Sequence, residues 1–269
     1  MPKLSEIKPA SRFFGLFAGE SGSGKTCAEV SFPKKLKVFD HDLRIRGALG
    51  AASFVPDLAE VECDIYPPSR PLSDLFDALN ILEIEYLSRN NPYQTLIFDS
   101  LTSESRFFLS DVMELTGGRI VGAKKDGHGG IRIAGPADHN IKDQAIYRMF
   151  DTLRSLPCNV IVSAHIVPKW GLPEGKKDTD YVDRIIVGEE LSLTSKLAAN
   201  ILIYFNEVYV FSREKMANGS IGYFVEFRGS LARTTFPQLP DGKVNITNVN
   251  FYDWWLRKIN EGIESNTGT

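Results

Sequence analysis

Cysteine is scarce in this 269-residue chain, and its three copies, Cys27, Cys63 and Cys158, are odd in number with no C-x-x-C pairing. That excludes a disulfide framework and a structural zinc site, and it suits a reducing compartment. No run approaches the ~18 apolar residues of a membrane span, and Met1-Pro2-Lys3-Leu4-Ser5-Glu6 lacks the apolar core of a signal peptide. A cytoplasmic location without membrane contact is therefore expected. An excess of charge of one sign is missing as well. The net charge of -3 argues against wholesale coating of nucleic acid, yet leaves room for a local basic groove, because affinity for phosphate depends on where Lys and Arg sit. Internal repeats are absent. With 43% hydrophobic and 24% charged residues the composition is that of an ordinary globular protein, and the length fits one large α/β domain.

The most informative stretch is Gly19-Glu20-Ser21-Gly22-Ser23-Gly24-Lys25-Thr26, which satisfies G-x-x-x-x-G-K-[ST] at every fixed position. A loop that wraps a triphosphate must turn several backbone N–H groups inward, and this requires glycine where φ is positive or where backbone touches phosphate. The strand-like Phe13-Phe14-Gly15-Leu16-Phe17-Ala18 precedes it, and Thr26-Cys27-Ala28-Glu29-Val30 reads as the start of a helix. The helix N-terminus would face phosphate, Lys25 would act as a point charge on the β and γ groups, and the Thr26 hydroxyl would bind Mg2+. Cys27, the next residue, belongs to the same nucleotide-binding set.

Further along, Val38-Phe39-Asp40-His41-Asp42 reads as a short strand ending in two acids spaced to share one side of an extended chain. Val61 to Tyr66 is a further strand, and Leu72, Leu75, Phe76, Leu79, Leu82 and Tyr86 recur at helical spacing. Gln94-Thr95-Leu96-Ile97-Phe98-Asp99-Ser100 has the form of a buried parallel strand closing on a metal-linked carboxylate, Asp99, with a helix beginning near Thr102 and Gly117-Gly118 at its end. Ile141, Ala145, Met149 and Leu153 mark another helix, followed by a strand over Asn159-Val160-Ile161-Val162-Ser163-Ala164-His165. Two glycine-rich basic stretches, about 117–136 and 168–191, read as mobile loops. A short helix over Ser195 to Ala199, strands over Ile201 to Phe211 and Ile221 to Phe227, and an aromatic helix over Asn250 to Ile259 complete the order. The expected domain spans 1–262, with a disordered tail over 263–269.

Taken together, these elements resemble the RecA-type recombinase ATPases, in particular short phage-encoded RecA-like ATPases associated with single-strand annealing. The resemblance covers nearly the whole chain. It rests on the P-loop, on the Asp99-Ser100 pair after an apolar strand, and on Ser163-Ala164-His165-Ile166-Val167 where the family ends its next strand with a γ-phosphate-sensing residue. In RecA that residue is glutamine, and here it is His165. The resemblance implies a mostly parallel central sheet flanked by helices, with antiparallel strands at the C-terminal edge, and it implies ATP and Mg2+ as ligands. Thr26 and Asp99 would hold the metal, and Asp42 would orient the attacking water where RecA carries glutamate, with Asp40 as competitor. The two basic loops would contact single-stranded DNA through Lys124 and Lys125 in the first and Lys169, Trp170, Lys176 and Lys177 in the second. Lysine beside an aromatic also suits backbone charge plus base stacking in its own right. Arg228 and Arg233 resemble the cations that such proteins lend to a neighbouring subunit's site. Implied partners are single-stranded DNA, further copies in a ring or filament, and an annealing or single-strand-binding protein.

Two other readings use the same P-loop. A small-molecule or nucleotide kinase needs an acceptor pocket and usually an arginine-rich lid, whereas the arginines here are scattered. A nucleotide-gated loader for a recombinase or helicase would keep the binding residues and dispense with hydrolysis.

Overall fold

The structure, a computed structural model, describes residues 12–45, 47, 58–117, 119–121, 131–172 and 185–266. An eight-stranded sheet runs in the order β12-β11-β10-β1-β7-β4-β2-β3. Its parallel members are β1 (Phe14–Gly19), β2 (Leu36–Asp40), β3 (Val61–Ile65), β4 (Thr95–Asp99), β7 (Asn159–Ala164) and β10 (Glu207–Lys215). At the C-terminal edge β11 (Ile221–Glu226) lies antiparallel to β10, and β12 (Lys243–Asn245) antiparallel to β11. This is the expected α/β architecture, a mostly parallel sheet with antiparallel strands on one edge.

Alternation along the strands divides the core into two layers, because successive side chains point to opposite faces. Leu16, Ala18, Phe39, Leu96, Phe98, Val160 and Val162 face one side. There they meet α2 (Leu72–Leu87), α3 (Leu101–Thr116), α4 (Pro136–Ser155) and α5 (Ser195–Ile201). Phe17, Leu36, Val38, Ile97, Ile161, Tyr209 and Phe211 face the other, against α1 (Lys25–Glu29) and α6 (Phe251–Asn266). Burial on both faces explains why the central strands read as unbroken apolar runs.

The helix ends follow from local chemistry. Ser100 is the N-cap of α3, its hydroxyl accepting from the Ser103 amide, and Gly117 ends that helix at φ 82°. Pro136 opens α4, where the Asp138 carboxylate accepts from the Gly135 amide at 2.7 Å.

Several boundaries differ from expectation. The chain over 201–206 completes α5 and a single 3-10 turn, Leu202–Tyr204, so β10 begins at Glu207 rather than Ile201. The aromatic helix α6 continues to Asn266, into the segment expected as a tail, while residues 267–269 lie outside the described residues. Both stretches expected as loops contain antiparallel ribbons. β5 (Arg119–Val121) pairs with β6 (Ile131–Ile133), and β8 (Ile166–Gly171) pairs with β9 (Ile185–Leu191). Ladder hydrogen bonds between β-branched segments distant in sequence leave no local period to read.

A candidate nucleotide site at the strand ends

Neighbouring parallel strands in register bring their C-terminal ends to one edge, with Asp40 opposite Asp99 and Ala18 opposite Ala164. The P-loop leaves β1 at this edge. Gly24 is left-handed at φ 93°, and a Cβ there would sit 3.1 Å from the Tyr223 ring. At Gly19 space is decisive, since a Cβ would lie 2.4 Å from the Phe211 carbonyl oxygen. Glycine at these two positions is a steric demand.

Lys25 is buried on the first turn of α1, and its ammonium donates to the Gly19 carbonyl at 2.9 Å and the Glu20 carbonyl at 3.0 Å. Burial lowers its pKa, chiefly against the opposing charges of Glu29, Asp99 and Asp42. The Thr26 hydroxyl donates to Asp99 Oδ2 at 3.1 Å, and the Ser163 hydroxyl donates to Asp99 Oδ1 at 2.5 Å. Burial raises the Asp99 carboxyl, with the Asp42 charge adding to it. Glu29, one helical turn behind Lys25, is completely buried, and neither of its oxygens has a hydrogen-bond partner among the described residues. Burial, then Asp99, push its pKa well up and favour the neutral acid.

The structure separates Asp40, the last residue of β2, from Asp42, which lies beyond it. Asp40 accepts from the Arg44 and Ile45 amides at 3.3 and 3.2 Å, and so braces the turn that follows. Asp42 faces the site: its Oδ2 lies 2.9 Å from His165 Nε2, and its Oδ1 accepts from Ser100 at 3.0 Å and from Ser103. Burial alone would raise the Asp42 carboxyl, but these hydrogen bonds and the His165 charge outweigh it and hold it well below the usual range.

Lys25, Thr26, Asp42, Asp99 and His165 all line one cavity of about 370 Å³. Cys27 lines it as well, with Ser21, Gly22, Ser23 and Gly24. Its far wall was not anticipated. Tyr223, Ile246, Val249 and Phe251 make that wall apolar, and Asn248, at φ 56°, adds an amide. These residues lie some 200 positions beyond the P-loop, and only the sheet order that puts β10 and β11 beside β1 brings them there. Arg44, also unanticipated, completes the lining.

The donor set fits Mg2+. Thr26 and Asp99 present hard oxygens side by side, and the buried Ser23 hydroxyl in the loop has no hydrogen-bond partner among the described residues. No cluster of three or more His, Cys, Asp or Glu among the described residues suits a metal.

The other expected site residues are placed differently. Arg228 donates to the Leu239 and Phe236 carbonyls and pairs with Asp241 at 2.7 Å, while Arg233 donates to the Leu202 and Phe205 carbonyls. Both follow β11, and neither lines this chain's own cavity. Lys169 and Trp170 are exposed on β8, Trp170 at 57%. Lys124, Lys125, Lys176 and Lys177 lie outside the described residues.

No protein-family model matches this chain, and no curated protein matches it in sequence. Among solved structures, a KaiC-like protein from the hyperthermophilic archaeon Pyrococcus horikoshii OT3 is similar at 13% identity and a TM-score of 0.45, over 87% of this chain and 84% of that one. No helix among the described residues is long and apolar enough to cross a membrane.

Proposed function

We propose that the protein binds ATP with Mg2+, hydrolyses it, and uses the state of that site to control a contact with single-stranded DNA, in homologous recombination or strand annealing. The observation that carries the ATPase reading is the convergence of Lys25, Thr26, Asp99, Asp42 and His165 on one cavity at the strand ends. The P-loop amides and Lys25 hold the phosphates, and the apolar wall at Tyr223 receives the base. Thr26 and Asp99 hold Mg2+, which when bound neutralises charge on the β and γ oxygens. Asp42 orients water, and His165 donates toward the γ-phosphate.

The DNA reading is supported by chain connectivity. His165 is the single residue between β7 and β8. Its amide is held by the Thr102 hydroxyl at 2.9 Å, and its carbonyl accepts from the Ser192 amide, next to β9, at 2.8 Å. A γ-phosphate that competes for the His165 ring thus acts on the root of the ribbon bearing Lys169 and Trp170. Assembly into a ring or filament is part of the same proposal and follows from the resemblance.

The test is ATP hydrolysis with and without single-stranded DNA, at two salt concentrations. It compares wild type, Lys25→Ala and a Lys124/Lys125/Lys176/Lys177 alanine variant. Stimulation by DNA, lost in the lysine variant while basal turnover persists, supports the proposal. Turnover indifferent to DNA, with no DNA binding, removes the DNA half of it; a wild type that binds ATP without turnover points to the loader, and phosphorylated nucleoside product points to a kinase.

A further inference from the structure

We infer that Arg44 supplies, within its own chain, the cation that stabilises charge developing on the transferred phosphoryl group. The inference rests on the ATPase reading above and deepens it by naming a residue and a mode of action. Four observations carry it. The Arg44 side chain lines the cavity together with Lys25, Asp42, Asp99 and His165. Its guanidinium reaches the P-loop, donating from Nη1 to the Ser21 hydroxyl at 2.5 Å. Its backbone is fixed from below by the buried Asp40 carboxylate, which accepts from the Arg44 and Ile45 amides, while the Ile45 side chain is anchored in the core. Just before it, Leu43 takes a left-handed backbone at φ 58°, a conformation that leucine rarely adopts, with its own side chain turned to solvent. The turn therefore places the arginine at the expense of the leucine, and strain of this kind concentrates at functional positions.

The charge balance points the same way. Among the described residues no carboxylate lies within ion-pair distance of Arg44, in contrast to Arg228 with Asp241. Its charge bears instead on Lys25, whose pKa it helps to lower. Two cations that face one cavity repel each other, and a polyanion between them relieves that repulsion. The other candidate arginines are placed less well. Arg228 and Arg233 bind backbone carbonyls and do not line the cavity, and Arg213 approaches Gly22 without lining it.

In the reaction, a water oxygen forms a bond to the γ-phosphorus as the bond to the β,γ-bridging oxygen breaks. The electron pair leaves with ADP, and the water's proton goes to the phosphate formed. Charge accumulates on the bridging and γ oxygens as this happens, and a planar five-donor fork is suited to two of those oxygens at once. The contact strengthens toward the transition state, so it raises kcat more than affinity.

The experiment measures steady-state and single-turnover ATP hydrolysis and fluorescent-ATP binding for wild type, Arg44→Ala and Arg44→Lys. It also measures an equimolar mixture of Arg44→Ala with Lys25→Ala. Arg44 is exposed, so its variants should fold; circular dichroism checks this. The expected result is a loss of kcat on the order of 10³-fold in Arg44→Ala, with ATP affinity changed by less than about fivefold if the contact belongs mainly to the transition state. Arg44→Lys, which keeps the charge without the fork, should fall between. The mixture should stay inactive, because neither chain combines an intact P-loop with its own arginine. Rescue in the mixture would show that the arginine acts on a neighbouring subunit and would overturn the inference, as would an Arg44→Ala variant with wild-type kcat. Either of those results leaves the ATPase reading standing. Wild type that never turns over ATP refutes that reading, and the inference with it.

Discussion

Replacing Asp42 with asparagine tests how the site handles water. The carboxylate is nearly enclosed and accepts three side-chain hydrogen bonds, from Ser100, Ser103 and His165. Asparagine keeps the shape and can still accept from both serines, but it loses the charge that strengthens all three bonds. Hydrogen bonds to a charged group contribute about 1.5–3 kcal/mol against about 1 for neutral ones, so a net destabilisation of about 1–3 kcal/mol is expected. The pH dependence has a fixed sign. A carboxyl held below its ordinary pKa contributes stability that is fully present above the unfolded value of ~4 and is lost as pH falls through the folded value. The contribution of the Asp42 carboxylate itself to the gap between wild type and variant in urea melts should therefore be lost as pH falls below about 4. A carboxylate so easily ionised is also a weak proton acceptor, so under the proposed function its contribution is orientation of water, and kcat of the variant should fall by about 10²-fold or more. Its titration should leave no acid limb between pH 5 and 7. A variant that hydrolyses ATP within twofold of wild type, or a stability gap unchanged between pH 5 and pH 2, would refute the reasoning.

Three further outcomes follow from other parts of the molecule. Glu104 is fully enclosed in α3 and its carboxyl is pushed up to about 8 by burial. A raised carboxyl is stabilising below the unfolded pKa, and that contribution is lost as pH rises through the folded one. Wild type should thus lose about 1.4 kcal/mol per pH unit between roughly pH 5 and 8 relative to Glu104→Gln, measured by urea midpoints at three pH values; parallel curves would refute it. Gly24→Ala forces alanine to φ 93° against the Tyr223 ring, costing about 1–2 kcal/mol in thermal melts and abolishing nucleotide binding; unchanged binding would show that the loop does not hold phosphate as described. Trp170→Ala removes an exposed stacking platform and should weaken single-stranded DNA binding by about 1–3 kcal/mol, with a salt slope like that of wild type; equal affinity by fluorescence anisotropy would remove Trp170 from the DNA surface.

The strand ends that carry chemistry were readable because fully buried parallel strands leave an unmistakable trace. An apolar run that closes on a single polar residue marks both a strand and its functional end, and Thr95–Asp99 behaves this way. The choice between Asp40 and Asp42 was not readable. A spacing of two puts both acids on one side only if the chain stays extended, and β2 stops at Asp40. Beyond it the His41 and Asp42 amides both bond the Asp99 carbonyl, so the chain bends and the two carboxylates diverge. The apolar wall of the cavity was invisible for a different reason, since nothing near Tyr223 or Asn248 announces the P-loop until the sheet order sets β11 one strand beyond β10. The ribbons escaped because each strand pairs with a partner ten or more residues away, across a glycine-rich interval without period.

Under the proposed function, aspartate at 42 and histidine at 165, the two departures from the RecA-type pattern that the chain resembles, make sense as a pair. Aspartate is one methylene shorter than the glutamate that the resemblance implies, and it would reach less far into the cavity. The bend after Asp40 brings its backbone forward, and the imidazole of His165 covers the remaining distance, closing to 2.9 Å. Glutamine in place of histidine would offer the carboxylate a neutral amide and no means of carrying charge. Histidine can, so His165 and Asp42 are coupled electrostatically as well as by a hydrogen bond. A phosphate oxygen that draws the ring away removes part of what holds Asp42 ionised and in place. Under the proposed function the same event would loosen the root of β8, which begins at the next residue. Nucleotide state and ribbon position would then be joined through one side chain, and changing either residue alone should disturb both.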